Sequence, residues 1–237
     1  MFFSIPNEIQ VAELRQLTKN VFFFVVLIYL GQLKTSAQIL GCTDSMASNY
    51  NPAATENDGS CLYAPSSVYP TQSFLLTSNL IESSGLICWN NQIMSHNDNS
   101  DSYIYALDTL DGSMMQAYNL NVQNIDWEEI SHDSGYVYIG DFGNNSNGNR
   151  TDLRILRIEK NSLLANTPII DTIQFTYANQ TDFSGSGANN TDFDCEAFIV
   201  GTDSIYLFTK QWIGLQSVIY SLPKTPGVYQ AIPRDTL

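Results

Sequence analysis

From residue 72 onward the chain alternates apolar and polar residues in short runs, each closed by Asn, Asp, Gly or Ser. No stretch there sustains the 3.6-residue apolar period of an amphipathic helix, whereas period two over four to seven residues predicts half-buried strands. The alternation predicts strands at 85–90, 92–96, 103–107 and 115–120, then at 128–131, 136–140, 152–158 and 172–177, and finally at 196–200, 204–209 and 217–222. Strands this short, at such close spacing, predict an all-β fold.

The strands recur as a group. Asp126-Trp127-Glu128 aligns without a gap on Asp194-Cys195-Glu196 at an offset of 68 residues. At the same offset Ile130 matches Phe198, and Val137-Tyr138-Ile139 matches Ile205-Tyr206-Leu207. A fainter copy begins at Glu82, with Gly85-Leu86-Ile87 and then residues 92–98. Each copy has an acidic residue leading an apolar strand, a turn, and a second strand with a polar end. About four strands per copy is the pattern of a β-propeller blade. Residues 73–237 are therefore expected to form a partial β-propeller of about three four-stranded blades. Propellers close with four to eight blades, so this count predicts the N-terminal part of a longer protein; a compact sandwich is the alternative.

Ahead of the repeats the chain changes character twice. Residues 21–30 are ten consecutive apolar residues preceded by Arg15 and Lys19. Ten residues span about 15 Å as a helix, half of a bilayer core of about 30 Å. That suits the apolar part of a signal peptide, with Thr35 and Ala37 as the small residues before a cleavage site. Residues 1–37 are thus expected to be removed, leaving no transmembrane span in a secreted or surface-located protein. Ile39-Leu40-Gly41-Cys42 loosely resembles a lipidation site, but Leu40 stands where a small residue is usual and Cys42 lies about a dozen residues past the apolar run. Residues 63–72, with Pro65 and Pro70, predict a linker between a small module at 38–62 and the repeats.

Charge narrows the partners. The chain holds 10 Lys+Arg against 24 Asp+Glu, a net −14. Cleavage after Ala37 removes Arg15, Lys19 and Lys34 with Glu8 and Glu13, leaving 7 basic and 22 acidic residues and a net −15. Seven scattered cations make no basic stripe, which excludes a nucleic-acid partner. An excess of carboxylates in an exported chain suits divalent cations, which take oxygen ligands, and it also aids solubility.

Cys42 and Cys61 bracket a stretch rich in Asn, Asp, Pro and Gly. In an oxidising compartment such a pair closes a disulfide, worth about 3 kcal/mol for a loop of this length. The stretch Gly41-Cys42-Thr43-Asp44, Asn49-Tyr50-Asn51-Pro52 and Asp58-Gly59-Ser60-Cys61 resembles a short module repeated in secreted proteins of gliding-type bacteria with type IX secretion. Ser45 departs from it, standing where Pro is common. Asp44, Asn49, Asn57 and Asp58 are oxygen donors suited either to Ca²⁺ or to capping turns.

A second resemblance covers about residues 80–214. Its motifs are Glu82-Ser83-Ser84-Gly85-Leu86, His96-Asn97-Asp98, Asp126-Trp127-Glu128, Tyr138-Ile139-Gly140-Asp141-Phe142-Gly143-Asn144-Asn145 with Asn149-Arg150, and Asp192-Phe193-Asp194-Cys195-Glu196-Ala197. Together they resemble a family of uncharacterised secreted propellers from the same kind of bacteria. More distantly the pattern is similar to lactonase-like and regucalcin-like propellers, a resemblance that implies a divalent cation on the central axis. Glu82 leads the first strand as their first ligand does.

Acidic residues at equivalent strand starts converge in a propeller. Glu82, Asp126, Glu128, Asp194 and Glu196 are thus candidate axial ligands, joined by Asp141 and Asn144, with Asn97 and Asn145 able to complete a shell; Ca²⁺ is the expected ion. The competing reading is that they cap turns through backbone N–H groups. In Asp-x-Glu, period two puts both acids on one face. Arg150 suits pairing with a rim carboxylate. His96, beside Asn97 and Asp98, is the candidate general base; the other histidine, His132, lies in a turn. There is no Gly-x-Ser-x-Gly elbow and no zinc-ligand spacing. Cys88 and Cys195 fall in strands as thiols or as a second bridge. Trp89, Trp127 and Trp212 suit the core or, on a rim, stacking against sugars. Three functions follow: a Ca²⁺-dependent binding or adhesion module for a carbohydrate or cell-surface ligand, a metal-assisted hydrolase, and a structural segment without a ligand.

Overall fold

The computed structural model describes residues 37–99 and 101–237. The leader expected at residues 1–37 therefore lies outside the described residues, save Ala37. The chain divides into two compact units between Thr71 and Gln72. Among the described residues no helix is long and apolar enough to cross a membrane.

The first unit is built from turns. Two short strands, β1 (Leu40–Gly41) and β2 (Glu56–Asn57), pair in parallel. The Cys42–Cys61 disulfide is formed. Four side chains each accept the backbone N–H two residues on: Asp44 from Met46, Asn51 from Ala53, Asn57 from Gly59 and Asp58 from Ser60. Asx turns of this kind let a chain with almost no apolar interior hold a fixed path.

The second unit is all-β apart from one short helix. Three antiparallel meanders follow one another. The first comprises β3 (Ser83–Trp89), β4 (Gln92–Asn97), β5 (Tyr103–Asp108) and β6 (Met114–Asn119). The second comprises β7 (Trp127–His132), β8 (Tyr136–Asp141), β9 (Arg154–Glu159) and β10 (Ile170–Tyr177), with helix α1 (Lys160–Leu164) between β9 and β10. The third comprises β11 (Asp194–Val200), β12 (Ser204–Lys210), β13 (Val218–Pro223) and β14 (Gly227–Thr236).

The middle meander is buried on both faces. Val137, Ile139, Leu156 and Ile158 pack with Met94, Ile104 and Ala106 of the first meander. Their neighbours Tyr138 and Ile155 point the other way, into a cluster with Phe198, Ile205, Leu207 and Tyr220 of the third. Hence 136–139 and 155–156 read as unbroken apolar runs. The first strands of the meanders pack side by side, β3 on β7 and β7 on β11.

The all-β expectation is met, and the strand pairing adds one feature to it. Separate four-stranded blades were expected, but the second and third meanders share one sheet. β14, which the alternation did not reveal, pairs in parallel with β10 through residues 227–231 and then antiparallel with β13 through residues 232–236. The result is an eight-stranded sheet whose end strands, β7 and β11, pack against each other, curling it nearly into a barrel around the second cluster. Pro223, Pro226 and Pro233 punctuate this stretch and hide its alternation. Pro233, which has no N–H to give to the ladder, sits beside an irregularity in it, where proline is tolerated.

Candidate metal centre

Repeat-equivalent glutamates sit at equivalent irregularities. In β7 the pairing runs from Trp127 opposite Asp141 to Glu129 opposite Gly140, so Glu128 is the extra residue of a β-bulge. In β11 the pairing skips Glu196 between Cys195 and Ala197. A bulge takes its residue out of the ladder and re-aims the side chain. The first residues of the same strands are anchored by the loop after the second strand of the preceding meander: Trp127 N–H donates to the Asp98 carbonyl at 2.8 Å, and the Asn144 N–H donates to Asp194 Oδ1 at 2.8 Å.

This anchoring brings Asp98, at the end of β4, to the start of β7. Carboxyl oxygens of Asp98, Asp126 and Glu128 all lie within 4.8 Å of one another, and each residue is half-buried. Among the described residues no Lys or Arg forms a salt bridge to any of the three, and Asp98 Oδ1 is buried without a hydrogen-bond partner. Gly143 closes the cluster from the loop after β8. A Cβ there would stand 2.4 Å from both Asp126 Oδ2 and Glu128 Oε1, so any other residue would have to push these two carboxyl groups aside. Asp126 carbonyl accepts the N–H groups of Phe142 and Gly143, which fixes that approach.

Electrostatics follow from this crowding. Burial, then the neighbouring Asp98, push the Asp126 carboxyl up to about 7. Burial, then Glu196 and Asp126, push Glu128 up to about 9. Desolvation and like charges both disfavour the carboxylate form. Asp194 is also raised, to about 6, by burial, although the Asn144 N–H and Trp212 Nε1 that bond it favour its charge.

The other sequence candidates have protein partners or lie elsewhere. Asp141 is fully buried between two guanidinium groups, Arg150 at 3.0 Å and Arg154 at 2.8 Å, so it is an ion-pair centre and not a free ligand. Arg150 thus pairs with a carboxylate as its position suggests, and it also donates to the Gly143 carbonyl. Asn144 spends its side chain on the Phe193 carbonyl and the Arg150 N–H. Glu196 pairs with Lys210 at 2.9 Å. Glu82 is exposed, and its backbone rather than its carboxylate meets Asn97 and Asp98. In the small unit Asp44 accepts from Met46 N–H and Tyr63 Oη, and Asp58 caps Ser60; both act as turn caps.

His96, the candidate base, lies in the interior. It is fully buried, edge-on to Trp127 with ring centres 5.6 Å apart, and burial lowers its affinity for a proton. Its Nε2 faces the Gly85 backbone. Cys88 is an exposed thiol and Cys195 a buried one, so they do not form a second bridge. Two members of the centre escaped sequence reading as ligands. Asp98 belongs to the polar end of a strand, and its signal was that position; Gly143 carried none beyond a Gly in an Asn-rich loop.

Comparison of the chain with protein-family models and with curated proteins finds no match. The reading of this centre therefore rests on its chemistry.

Proposed function

We propose that this chain is an exported, divalent-cation-dependent binding module, with Ca²⁺ held between Asp98, Asp126 and Glu128, and that its three meanders are blades of a propeller. The carrying observation is the convergence of three half-buried carboxyls that form no salt bridge among the described residues. Like charges at that spacing repel, and a hard cation relieves the repulsion. The bulge at Glu128 and the close approach of Gly143 support the reading, since both cost regular structure to bring oxygens together. The Cys42–Cys61 bridge supports export, because such bridges persist in oxidising compartments. A surface poor in cations suits a neutral carbohydrate or cell-surface ligand outside the cell.

Thermal unfolding of the full chain in EDTA and in excess CaCl₂ tests this. Ca²⁺ is expected to raise the midpoint, and Asp126→Asn with Glu128→Gln to abolish the rise while leaving the EDTA midpoint equal or higher. No Ca²⁺ effect on the parent chain contradicts the reading. A metal-assisted hydrolase is the second reading, favoured by one observation: a Glu128 carboxyl pushed up to about 9 holds a proton at neutral pH, as a general acid must. Hydrolysis of a test lactone or nitrophenyl ester that Glu128→Gln abolishes supports it; turnover unaffected by that change counts against it.

A further inference from the structure

The stack of meanders has two outer faces. Tyr138 of the second meander is fully buried in the cluster it shares with the third. Its repeat equivalent, Tyr206, is 37% exposed. Strand pairing sets Tyr206 in a row across the whole third meander, from Ile199 through Tyr206 and Ser221 to Ile232. Their neighbours along the strands, Phe198, Ile205, Leu207 and Tyr220, fill the interior. Side chains alternate along a strand, so the row faces outward, with Ile199 55% exposed. A matching row crosses the first meander, from Leu86 through Ser95 and Tyr105 to Ala117. Its neighbours Ile87, Met94, Ile104 and Tyr118 pack toward the second meander, so this row faces outward at the other end of the stack. Leu80 packs on Tyr105 there, while Leu86 stays 56% exposed and Ala117 half-buried.

Charge differs between the two ends. Residues 72–120 hold five acidic residues and no Lys or Arg, and of the five Glu82 and Asp111 are exposed. The outward face of the third meander carries Arg234, whose Nε donates to Ser221 Oγ of the row at 2.6 Å. Arg234 is exposed and forms no salt bridge among the described residues. An acidic end and an end with an unpaired guanidinium attract each other, whereas two acidic ends repel. Size favours a closed arrangement. Four strands about 4.8 Å apart and about six residues long make a face on the order of 400 Å². One contact between two such faces buries about 800 Å², the scale of a packing contact, whereas two contacts bury about 1,600 Å², the scale of a stable interface. Head-to-tail contacts make a ring only where the rotation closes. Propellers close with four to eight blades; one chain supplies three meanders and two chains supply six.

We propose that a second copy of this chain covers both faces, the third meander of each copy stacking on the first meander of the other, so that two chains close one six-bladed ring. The proposal rests on the reading of the meanders as blades but not on the cation. Light scattering after gel filtration of the full chain, over a range of concentrations, tests it. Twice the mass of one chain is expected, with no further growth as concentration rises. Ile199→Glu and Leu86→Glu change exposed positions on opposite faces. Each alone is expected to reduce the mass to that of one chain, while the β signal in circular dichroism is retained. A mixture of the two variants keeps one undamaged contact and is expected to be heavier than either variant alone. A parent chain that runs with the mass of one chain overturns the proposal and leaves the blade reading standing. Growth beyond two chains overturns closure, and the blade reading with it. A dimer that both variants leave intact overturns these faces as the contact.

Discussion

Asp126 and Glu128 hold protons in the folded chain at pH values where they would have lost them in the unfolded one. The folded state therefore binds more protons, and stability falls as pH rises. In EDTA the loss is expected to begin near the ordinary values of 3.8 and 4.5 and to be complete above about 9. Ca²⁺ is expected to flatten that slope, which melting curves across the pH range will show; a slope indifferent to Ca²⁺ contradicts the account. Gly143→Ala places a methyl 2.4 Å from two carboxyl oxygens. It is expected to weaken Ca²⁺ affinity at least about tenfold, while an alanine at Gly59, where a Cβ meets nothing, leaves affinity unchanged. Asp141→Asn strips one buried carboxylate from two guanidinium groups. Breaking such a pair costs about 3–5 kcal/mol, so denaturant unfolding is expected to show a loss of that order. Loss of Ca²⁺ binding without loss of stability would instead make Asp141 a ligand.

At the scale of elements, the disulfide-closed unit and the β unit are expected to lose structure independently. Cys42→Ser with Cys61→Ser removes a constraint on a loop of 19 residues' separation, worth about 3 kcal/mol. Because Asx turns rather than a core hold that unit, the change is expected to speed proteolysis within residues 38–62 and leave the main unfolding transition unmoved. A shift of the main transition contradicts this independence. Most strands from β3 to β13 were legible because apolar and polar positions alternate along them, and β8, buried on both faces, because its apolar run is short and bounded by turn residues. β14 was not, since it serves two neighbours in turn and is broken by prolines. α1 is five residues long, too short to show a period. The repeat offset did find both glutamates, Glu128 and Glu196, but not their divergence: Lys210 pairs with Glu196, and among the described residues no Lys or Arg forms a salt bridge to Glu128. Which member of a repeated pair stays unpaired is decided across strands, where sequence spacing says nothing. Asp98 was hidden for the same reason, since it reaches β7 only through a loop-to-strand contact.

For the whole molecule, the stacking of meanders explains where the centre sits. β3, β7 and β11 pack side by side, so residues at their starts and from the preceding loops are brought together. The net −14 of the chain raises the cost of that convergence and the gain from a cation. The central claim is that a cation displaces protons from these carboxyls. Calorimetric titration of the full chain with CaCl₂ at neutral pH, in buffers of different ionisation enthalpy, measures this directly. Glu128, raised to about 9, is protonated there, and Asp126, raised to about 7, is partly so. The account predicts one Ca²⁺ bound with release of at least about one proton, and neither binding nor release in Asp126→Asn with Glu128→Gln. Binding whose heat is independent of the buffer, or no binding at all, would contradict it.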